Sequence, residues 1–194
     1  MAKMTYLGHG SLRFITDCGK VIYVDPYWGE DYSMPANLIL VTHQHGDHNQ
    51  VDKVTKAQDC RIITEVDALL GDKHNSFDLG FVLVDSVTAE NKNHNPKETV
   101  GYIIHFGDIS VYCAGDTSMT DDMKCMKNID YALLPIDGIY NMDALEASNC
   151  AELINARHTI PIHTDPSGYL LDKVATFVHR SKLVVEPGET IELN

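Results

Sequence analysis

One short stretch constrains this chain more than any other: residues 42–48 read Thr-His-Gln-His-Gly-Asp-His and directly follow the apolar run 38–41. The apolar run is typical of a buried strand. Histidines two positions apart project to the same side of an extended segment, and the glycine permits a turn that returns the Asp-His pair toward them. Imidazole and carboxylate ligands suit zinc, manganese or iron better than calcium or magnesium. The potential ligands are His43, His45, Asp47 and His48.

Three later polar residues each follow an apolar, strand-like run. They are His94 after 81–87, Asp116 after 109–113 and His163 after 159–162. Strand ends meet at one edge of a sheet, which is where a site would gather such side chains. A metal ion takes three to four protein ligands, so the combined set is large enough for two ions. His74, which also lies in a polar segment, is an alternative to His94.

Composition limits the possible partners. The chain has 194 residues, 44% of them hydrophobic and 22% charged, which predicts one globular domain over 1–194. Its net charge of −13 argues against binding to nucleic acid or to an anionic membrane surface. We therefore expect a small-molecule substrate, and the sequence leaves the oligomeric state open.

The cysteines and the N-terminus bear on the cellular compartment. The five cysteines are odd in number and include no Cys-x-x-Cys pair, which predicts free, mostly buried thiols in a reducing cytosol. Residues 1–6 lack the apolar core of a signal peptide, and no apolar run reaches transmembrane length. These features predict a cytoplasmic protein.

Strand-like and helix-like segments alternate along the chain, as in an α/β protein. The predicted helices cover 50–58, 66–70, 121–127, 142–156 with Asn141 as its cap, and about 167–179, and a strand at 183–185 closes the sheet. Residues 21–25 and 111–116 are faintly similar, and each is followed by a loop and an apolar strand. Chance similarity remains an alternative, but two related halves would fit a sandwich of two sheets.

The pattern Thr-His-x-His-x-Asp-His resembles the hallmark of the metallo-β-lactamase superfamily. Further segments resemble a small stand-alone branch similar to the ascorbate-6-phosphate lactonase and N-acyl-phosphatidylethanolamine phospholipase D groups, and the resemblance covers nearly the whole chain. These segments are 7–11, 25–27, 89–102, 129–135 and 142–147. The resemblance implies a four-layer αββα sandwich with metals at the edge between its sheets. One departure is Asp137-Gly138 in place of Gly-Gly, which adds a charge that could face the pocket.

The resemblance also implies a role for each candidate ligand and favours His94 over His74. The first metal would be held by His43, His45 and His94, the second by Asp47, His48 and His163, and Asp116 would bridge the two. Asp47 would in addition accept or donate the proton of the attacking water, so Asp47 and Asp116 are the predicted catalytic residues. Zinc is the favoured metal, with manganese and iron open. Candidate substrate contacts or ligand supports are His9, Asn91, Tyr140 and Thr164.

Such a site predicts a hydrolase. Two cations lower the pKa of a shared water to about 7 or below, and the resulting metal-bound hydroxide can attack a small ester, a lactone or a phosphodiester. A diiron oxidoreductase of the same fold is an alternative, although such enzymes carry glutamate where this chain has His45. A nuclease would need an added domain or basic arm. A non-catalytic metal-binding regulator is a further alternative.

Overall fold

The computed structural model describes residues 1–194, which form fourteen strands and three α-helices. The strands are β1 (Lys3–Gly8), β2 (Ser11–Ile15), β3 (Val21–Val24), β4 (Ala36–Leu40), β5 (Lys56–Ile63), β6 (Leu69–Leu70), β7 (Lys73–His74), β8 (Ser76–Asp78), β9 (Leu83–Thr88), β10 (Val100–Phe106), β11 (Ile109–Cys113), β12 (Tyr131–Pro135), β13 (His158–Ile162) and β14 (Thr190–Glu192). The helices are α1 (Glu65–Ala68), α2 (Ala144–Ile154) and α3 (Leu171–Thr176), and two 3₁₀ turns cover Val51–Lys53 and Asp122–Lys124. No helix is both long enough and apolar enough to span a bilayer.

The strands form two six-stranded sheets and a small β6–β7 ribbon. The first sheet has the order β14-β1-β2-β3-β4-β5 and the second β13-β12-β11-β10-β9-β8. Along β1 to β5 the pairings run antiparallel, antiparallel, parallel, parallel, and β9 to β13 repeat that series. The similarity between 21–25 and 111–116 therefore falls on equivalent strands, β3 and β11, of two halves built alike.

The main core lies between the two sheets. It is a cluster of 24 buried residues that includes Met4, Phe14, Leu40, Tyr102 and Leu133. Strands that are covered on both faces bury most of their side chains. This accounts for the nearly continuous apolar runs in the sequence.

The outer face of the second sheet is covered by α2 and α3. On α2, Ala147, Ala151 and Ile154 lie on one face and are buried against the sheet. The carboxylate of Asp143 accepts hydrogen bonds from two backbone N–H groups of the first turn, so Asp143 is the N-cap. The prediction of Asn141 as the cap was wrong by two residues.

The outer face of the first sheet has no comparable helix, and the prediction of a helix over 50–58 was wrong. The chain makes a 3₁₀ turn at Val51–Lys53 and is already in β5 from Lys56. Val51 and Val54, whose spacing suggested a helix, instead pack beside Tyr32 in a loop cluster that covers the sheet. The αββα architecture is thus present with one thin outer layer.

Other element boundaries also differ from expectation. The predicted helix over 121–127 is only a 3₁₀ turn at Asp122–Lys124. The segment 183–185 forms no strand; beside it, Lys182 makes an isolated bridge to Thr159. The first sheet is completed instead by β14 beside β1. The helix predicted over 66–70 ends at Ala68, and the one expected near 167–179 covers only α3.

The cysteines correct a further expectation. All five are free, but only Cys113 and Cys150 are buried, so the prediction of mostly buried thiols was wrong. Cys18 and Cys125 are exposed, and Cys60 is partly exposed.

Candidate metal centre

The segment 42–48 leaves the end of β4 and is held there by Asp25. One oxygen of the Asp25 carboxylate accepts from the backbone N–H of Thr42 at 2.8 Å, and the other accepts from the Thr42 hydroxyl at 2.7 Å. The second oxygen also lies 2.9 Å from Nδ1 of His48. Asp25 is 1% exposed, so a single buried carboxylate fixes both ends of the ligand segment.

Asp116 follows β11 and lies at the centre of the cluster. Its Oδ1 is 3.2 Å from Nε2 of His48, and its Oδ2 is 3.4 Å from Nε2 of His94 and 3.6 Å from Nε2 of His163. Asp116 is 3% exposed. A carboxylate with histidine nitrogens on both of its oxygens has the placement required of a bridging ligand.

Two sets of ligand atoms converge on either side of Asp116. In the first, Nδ1 of His45 lies 3.2 Å from Nε2 of His94, and the His43 ring centroid lies 4.6 Å from that of His45. In the second, Nε2 of His48 and Nε2 of His163 each lie 4.0 Å from Oδ2 of Asp47. The structure therefore brings all seven predicted ligand residues together.

His74, the alternative to His94, lies elsewhere. Its Nε2 is 3.2 Å from the hydroxyl of Thr88, and its Nδ1 is 3.4 Å from the hydroxyl of Ser86. It takes no part in any group of potential ligands that contains His94.

Each buried histidine of the cluster has a polar partner at Nδ1, which leaves Nε2 directed inward. The Nδ1 partners are Thr42 Oγ1 for His43 at 3.0 Å, Asp25 Oδ2 for His48 at 2.9 Å and Asn91 Oδ1 for His94 at 2.9 Å. Asp137 Oδ2 lies 3.1 Å from Nδ1 of His163, although the two atoms are not aligned for a hydrogen bond. Such outer partners orient imidazoles that ligate metals.

Most of the inward atoms, by contrast, lack hydrogen bonds; Nε2 of His94, which lies 3.2 Å from Nδ1 of His45, is the exception. Nε2 of His43, of His48 and of His163 and Oδ1 of Asp116 are all buried without a hydrogen-bond partner, since their mutual approaches are not aligned for one. Buried polar atoms are seldom left unsatisfied, and bound metal ions would satisfy these four. The donor set of imidazoles and carboxylates therefore fits divalent transition metals.

The electrostatics of the cluster support the same conclusion. Burial opposes ionisation of Asp116, but the adjacent His48 and His163 hold its pKa well below the ordinary value. Burial, together with the neighbouring His48, lowers the pKa of His43 to about 2. Asp116 is thus ionised and His43 neutral, the states in which each can ligate a metal. Burial acts to lower the pKa of His48 and the pKa of His163, but Asp116 raises both, so these two imidazoles would release a proton on binding a metal.

His9 is a support whose importance the sequence understated. Its Nε2 lies 3.1 Å from Oδ2 of Asp47, and its carbonyl oxygen accepts from the backbone N–H of His163 at 3.0 Å. It is 1% exposed and has a left-handed φ of 54°. His9 thus joins a ligand candidate of the first half to one of the second. Strained backbone of this kind often marks functional sites.

Gly10 has to be glycine because of the site. A Cβ at this position would lie 2.9 Å from Cε1 of His48. Gly46, inside the ligand segment, is different: it has no positive φ, and a Cβ there would meet nothing within 4 Å. The turn at Gly46 therefore does not require glycine.

We expect Gly10→Ala to displace the His48 ring and lower the metal content of the purified protein, while the matched Gly46→Ala variant keeps the wild-type content. The measurement is elemental analysis of both variants purified in parallel. Equal metal content in the two would contradict the assignment of His48 to the metal centre.

Asp137, the departure from the family pattern, does not face the open pocket. It is fully buried, and its Oδ1 accepts from the backbone N–H groups of Ile139 and Tyr140 at 2.6 and 2.7 Å. Burial acts to raise the pKa of Asp137, but His163 and these N–H groups lower it to about 2. The added carboxylate thus organises the loop and supports His163.

The remaining candidates have distinct places. Asn91 orients His94, whereas the buried Thr164 accepts a hydrogen bond from the Leu170 N–H and so supports the loop. Tyr140 is half-exposed and lines the opening of the site. That opening is a cleft of about 260 Å³ whose other lining residues are His45, Asp47, Asn93, His94 and Asp116.

Comparison with known proteins decides the family. The sequence profile described as the beta-lactamase superfamily domain matches residues 3–163, a span that contains every residue of the cluster. The chain belongs to the metallo-β-lactamase superfamily. Its last matched residue is His163, the final ligand candidate.

Relatives within the metallo-β-lactamase superfamily extend over the full chain. A UPF0173 metal-dependent hydrolase from Saccharolobus solfataricus is 30% identical over 228 aligned positions, which cover 100% of both chains. The protein is thus a metal-dependent hydrolase. The crystal structure of a protein from Parabacteroides distasonis that is named as a metal-dependent hydrolase superposes on this chain with a TM-score of 0.81. The two chains are 27% identical, and the match covers 94% of this chain and 90% of that one. Igni18, a metallo hydrolase from Ignicoccus hospitalis, has the same fold, with a TM-score of 0.75, 23% identity and coverage of 100% and 99%.

Proposed function

We propose that this hydrolase holds two divalent metal ions and cleaves a small ester, lactone or phosphodiester. The observation that carries the proposal is the convergence of seven ligand residues around Asp116, with Nε2 of His43, of His48 and of His163 buried and unpartnered. Seven residues exceed the three to four protein ligands that one ion usually takes, whereas two ions would use them all.

The residues divide as follows. His43, His45 and His94 would hold the first ion, Asp47, His48 and His163 the second, and Asp116 would bridge them. Five imidazoles and two carboxylates form a nitrogen-rich set, which favours zinc, with manganese and iron also compatible. When bound, such ions lower the pKa of water to about 7 and stabilise negative charge that develops on the substrate.

Asp47 has the geometry to handle a proton. Its side chain borders the cleft and is 39% exposed, whereas Asp116, the other acidic residue of the cluster, is buried. His9 holds one carboxylate oxygen of Asp47 at 3.1 Å. A carboxylate that is positioned on one side and open to the cleft on the other can accept the proton of an attacking water.

The diiron alternative lacks support at one position. His45 places an imidazole beside His94 where a diiron enzyme of this fold would carry a carboxylate. A carboxylate-poor first site suits zinc hydrolysis better than iron redox chemistry.

The test begins with metal content. Protein purified without added metal should contain close to two transition-metal ions per chain by elemental analysis, and removal by a chelator should abolish hydrolysis that added zinc restores. The loaded protein is then screened against phosphodiesters, phosphomonoesters, lactones and thioesters. One ion per chain would contradict the dinuclear site, and no turnover on any class would contradict the proposed reaction.

A paired substitution tests the choice of the third histidine. We expect His94→Ala to lose about one metal ion per chain, because the first ion then keeps only His43, His45 and the bridging Asp116, one protein ligand fewer than before. His74→Ala, the matched control, should retain full metal content. The reverse result would reassign the ligand.

A further inference from the structure

A second cleft opens on the other side of the first ligand set. It has a volume of about 320 Å³ and is lined by nine residues, none of them hydrophobic and none a lysine or arginine. Three are His43, His45 and His94, and the others are Gln44, Glu65, Asn93, Asn95, Glu98 and Thr99. We call it the acidic cleft, because its only charged side chains outside the metal centre are two carboxylates.

Glu65 is the unusual residue of the acidic cleft. It is 7% exposed, yet it forms no salt bridge with any residue of the chain. Its Oε2 accepts from Nε2 of Gln44 at 2.8 Å, whereas its Oε1 makes no hydrogen bond within the chain and keeps access to solvent. Glutamate is rarely buried without a cationic partner, because one neutral donor does not compensate the lost hydration of the charge.

The surrounding groups leave that charge directed at the cleft. Gln44 cannot turn away freely, since its Oε1 accepts from Nδ2 of Asn49 at 3.2 Å. Lys97, the residue before Glu98, does not compensate Glu65 either: its Nζ lies 3.6 Å from Oδ1 of Asp72, and it lines a different cleft. The counter-ion of Glu65 is therefore missing from the protein itself.

We propose that the acidic cleft binds a positively charged ammonium group of the substrate, with Glu65 as its counter-ion and the exposed Glu98 as the second carboxylate. The proposal rests on the proposed function, because it places the scissile bond at the metal centre and the cation beyond His43, His45 and His94. A neutral hydroxyl group would leave the buried charge uncompensated, and an anionic group would be repelled by both carboxylates.

Binding can test this without turnover. The probes are carboxylates that anchor at the metal centre and end in a trimethylammonium group after two, three or four methylenes; the matched probes end in an uncharged tert-butyl group. Titration calorimetry of the metal-loaded protein at low salt should show the best cationic probe binding at least about tenfold tighter than its isostere. The preference should shrink as salt is added.

Substitutions then identify the residues responsible for the preference for cationic probes. Glu65→Gln should abolish it while leaving the isostere's affinity unchanged, and Glu98→Gln should reduce it less, because Glu98 is exposed. Glu152→Gln, at an exposed position on α2 beside His179, is the control and should keep the full preference. Equal binding of the two probe types in the wild type, or an unchanged preference in Glu65→Gln, would overturn the proposal.

Thermal unfolding of Glu65→Gln separates the two roles: the Tm should rise if Glu65 is an uncompensated charge and fall if it is only a structural acceptor. The amide oxygen that Glu65→Gln introduces could still accept from Gln44, so removing an uncompensated charge should raise the Tm of the ligand-free protein. A lower Tm together with an intact charge preference would make Glu65 a structural acceptor. If no substrate class is turned over while the cationic probes still bind preferentially, the proposed reaction fails and the acidic cleft stands.

Discussion

Asp116→Ala should reduce hydrolysis by at least about 1,000-fold, because Lewis-acid stabilisation of the transition state contributes several kcal/mol and depends on both ions. Asp116 approaches histidines of both sets, at 3.2 Å from His48 and 3.4 Å from His94. Its removal takes a ligand from each ion at once. Elemental analysis should show reduced metal content, and far-ultraviolet circular dichroism should show an intact fold.

The control for this prediction is Asp121→Ala. Asp121 lies in the same connection after β11 but is exposed and paired with Lys124, so its loss should change neither metal content nor rate. Full metal content and more than about a tenth of the wild-type rate in Asp116→Ala would contradict a bridging role, since a loss of only tenfold corresponds to about 1.4 kcal/mol.

Asp25→Ala should cost about 3–5 kcal/mol of unfolding free energy, the usual loss when one partner of a buried charged pair is removed. The substitution leaves the N–H and hydroxyl of Thr42 and Nδ1 of His48 without their acceptor. It also places alanine at a left-handed φ of 46°, which alanine disfavours. Urea unfolding of the chelator-treated protein measures the loss free of metal binding.

Asp25→Asn separates charge from shape. Asparagine tolerates the left-handed backbone and can still accept from the Thr42 N–H, so this variant should lose less stability than Asp25→Ala. Its amide N–H₂ cannot accept from His48, however, so metal affinity should still fall. Asp17→Ala, at an exposed position, is the control and should behave as wild type. Equal stability of Asp25→Ala and wild type would show that Asp25 does not hold the ligand segment.

The metal centre was predictable because its ligands carry local signals. Residues 42–48 concentrate four ligand candidates after one apolar strand, and His94, Asp116 and His163 each follow another. Strand ends meet at the sheet edge in any sandwich of this kind, so their convergence did not depend on details of packing. The equivalence of strands β3 and β11 was also predictable, because residues 21–25 and 111–116 are similar in sequence.

The thin outer layer of the first sheet was not predictable. Val51 and Val54 have spacing that fits a helix, yet that spacing also fits a loop whose apolar side chains cover a sheet. Tertiary packing against Tyr32 decided between the two. A run of residues this short has little helical preference of its own to oppose such packing.

The sequence by itself determined the family and the two-sheet architecture, through the resemblance carried by residues 42–48, and it predicted the seven residues that meet at the candidate metal centre, because a compact motif and strand-end positions are local properties. Only the tertiary structure decided which groups support those residues. Asp25, Asp137 and His9 reach their partners across sheets and loops, and the buried Glu65 forms no salt bridge. Contacts between residues distant in sequence follow from how the sheets pack, which no local pattern of side chains records.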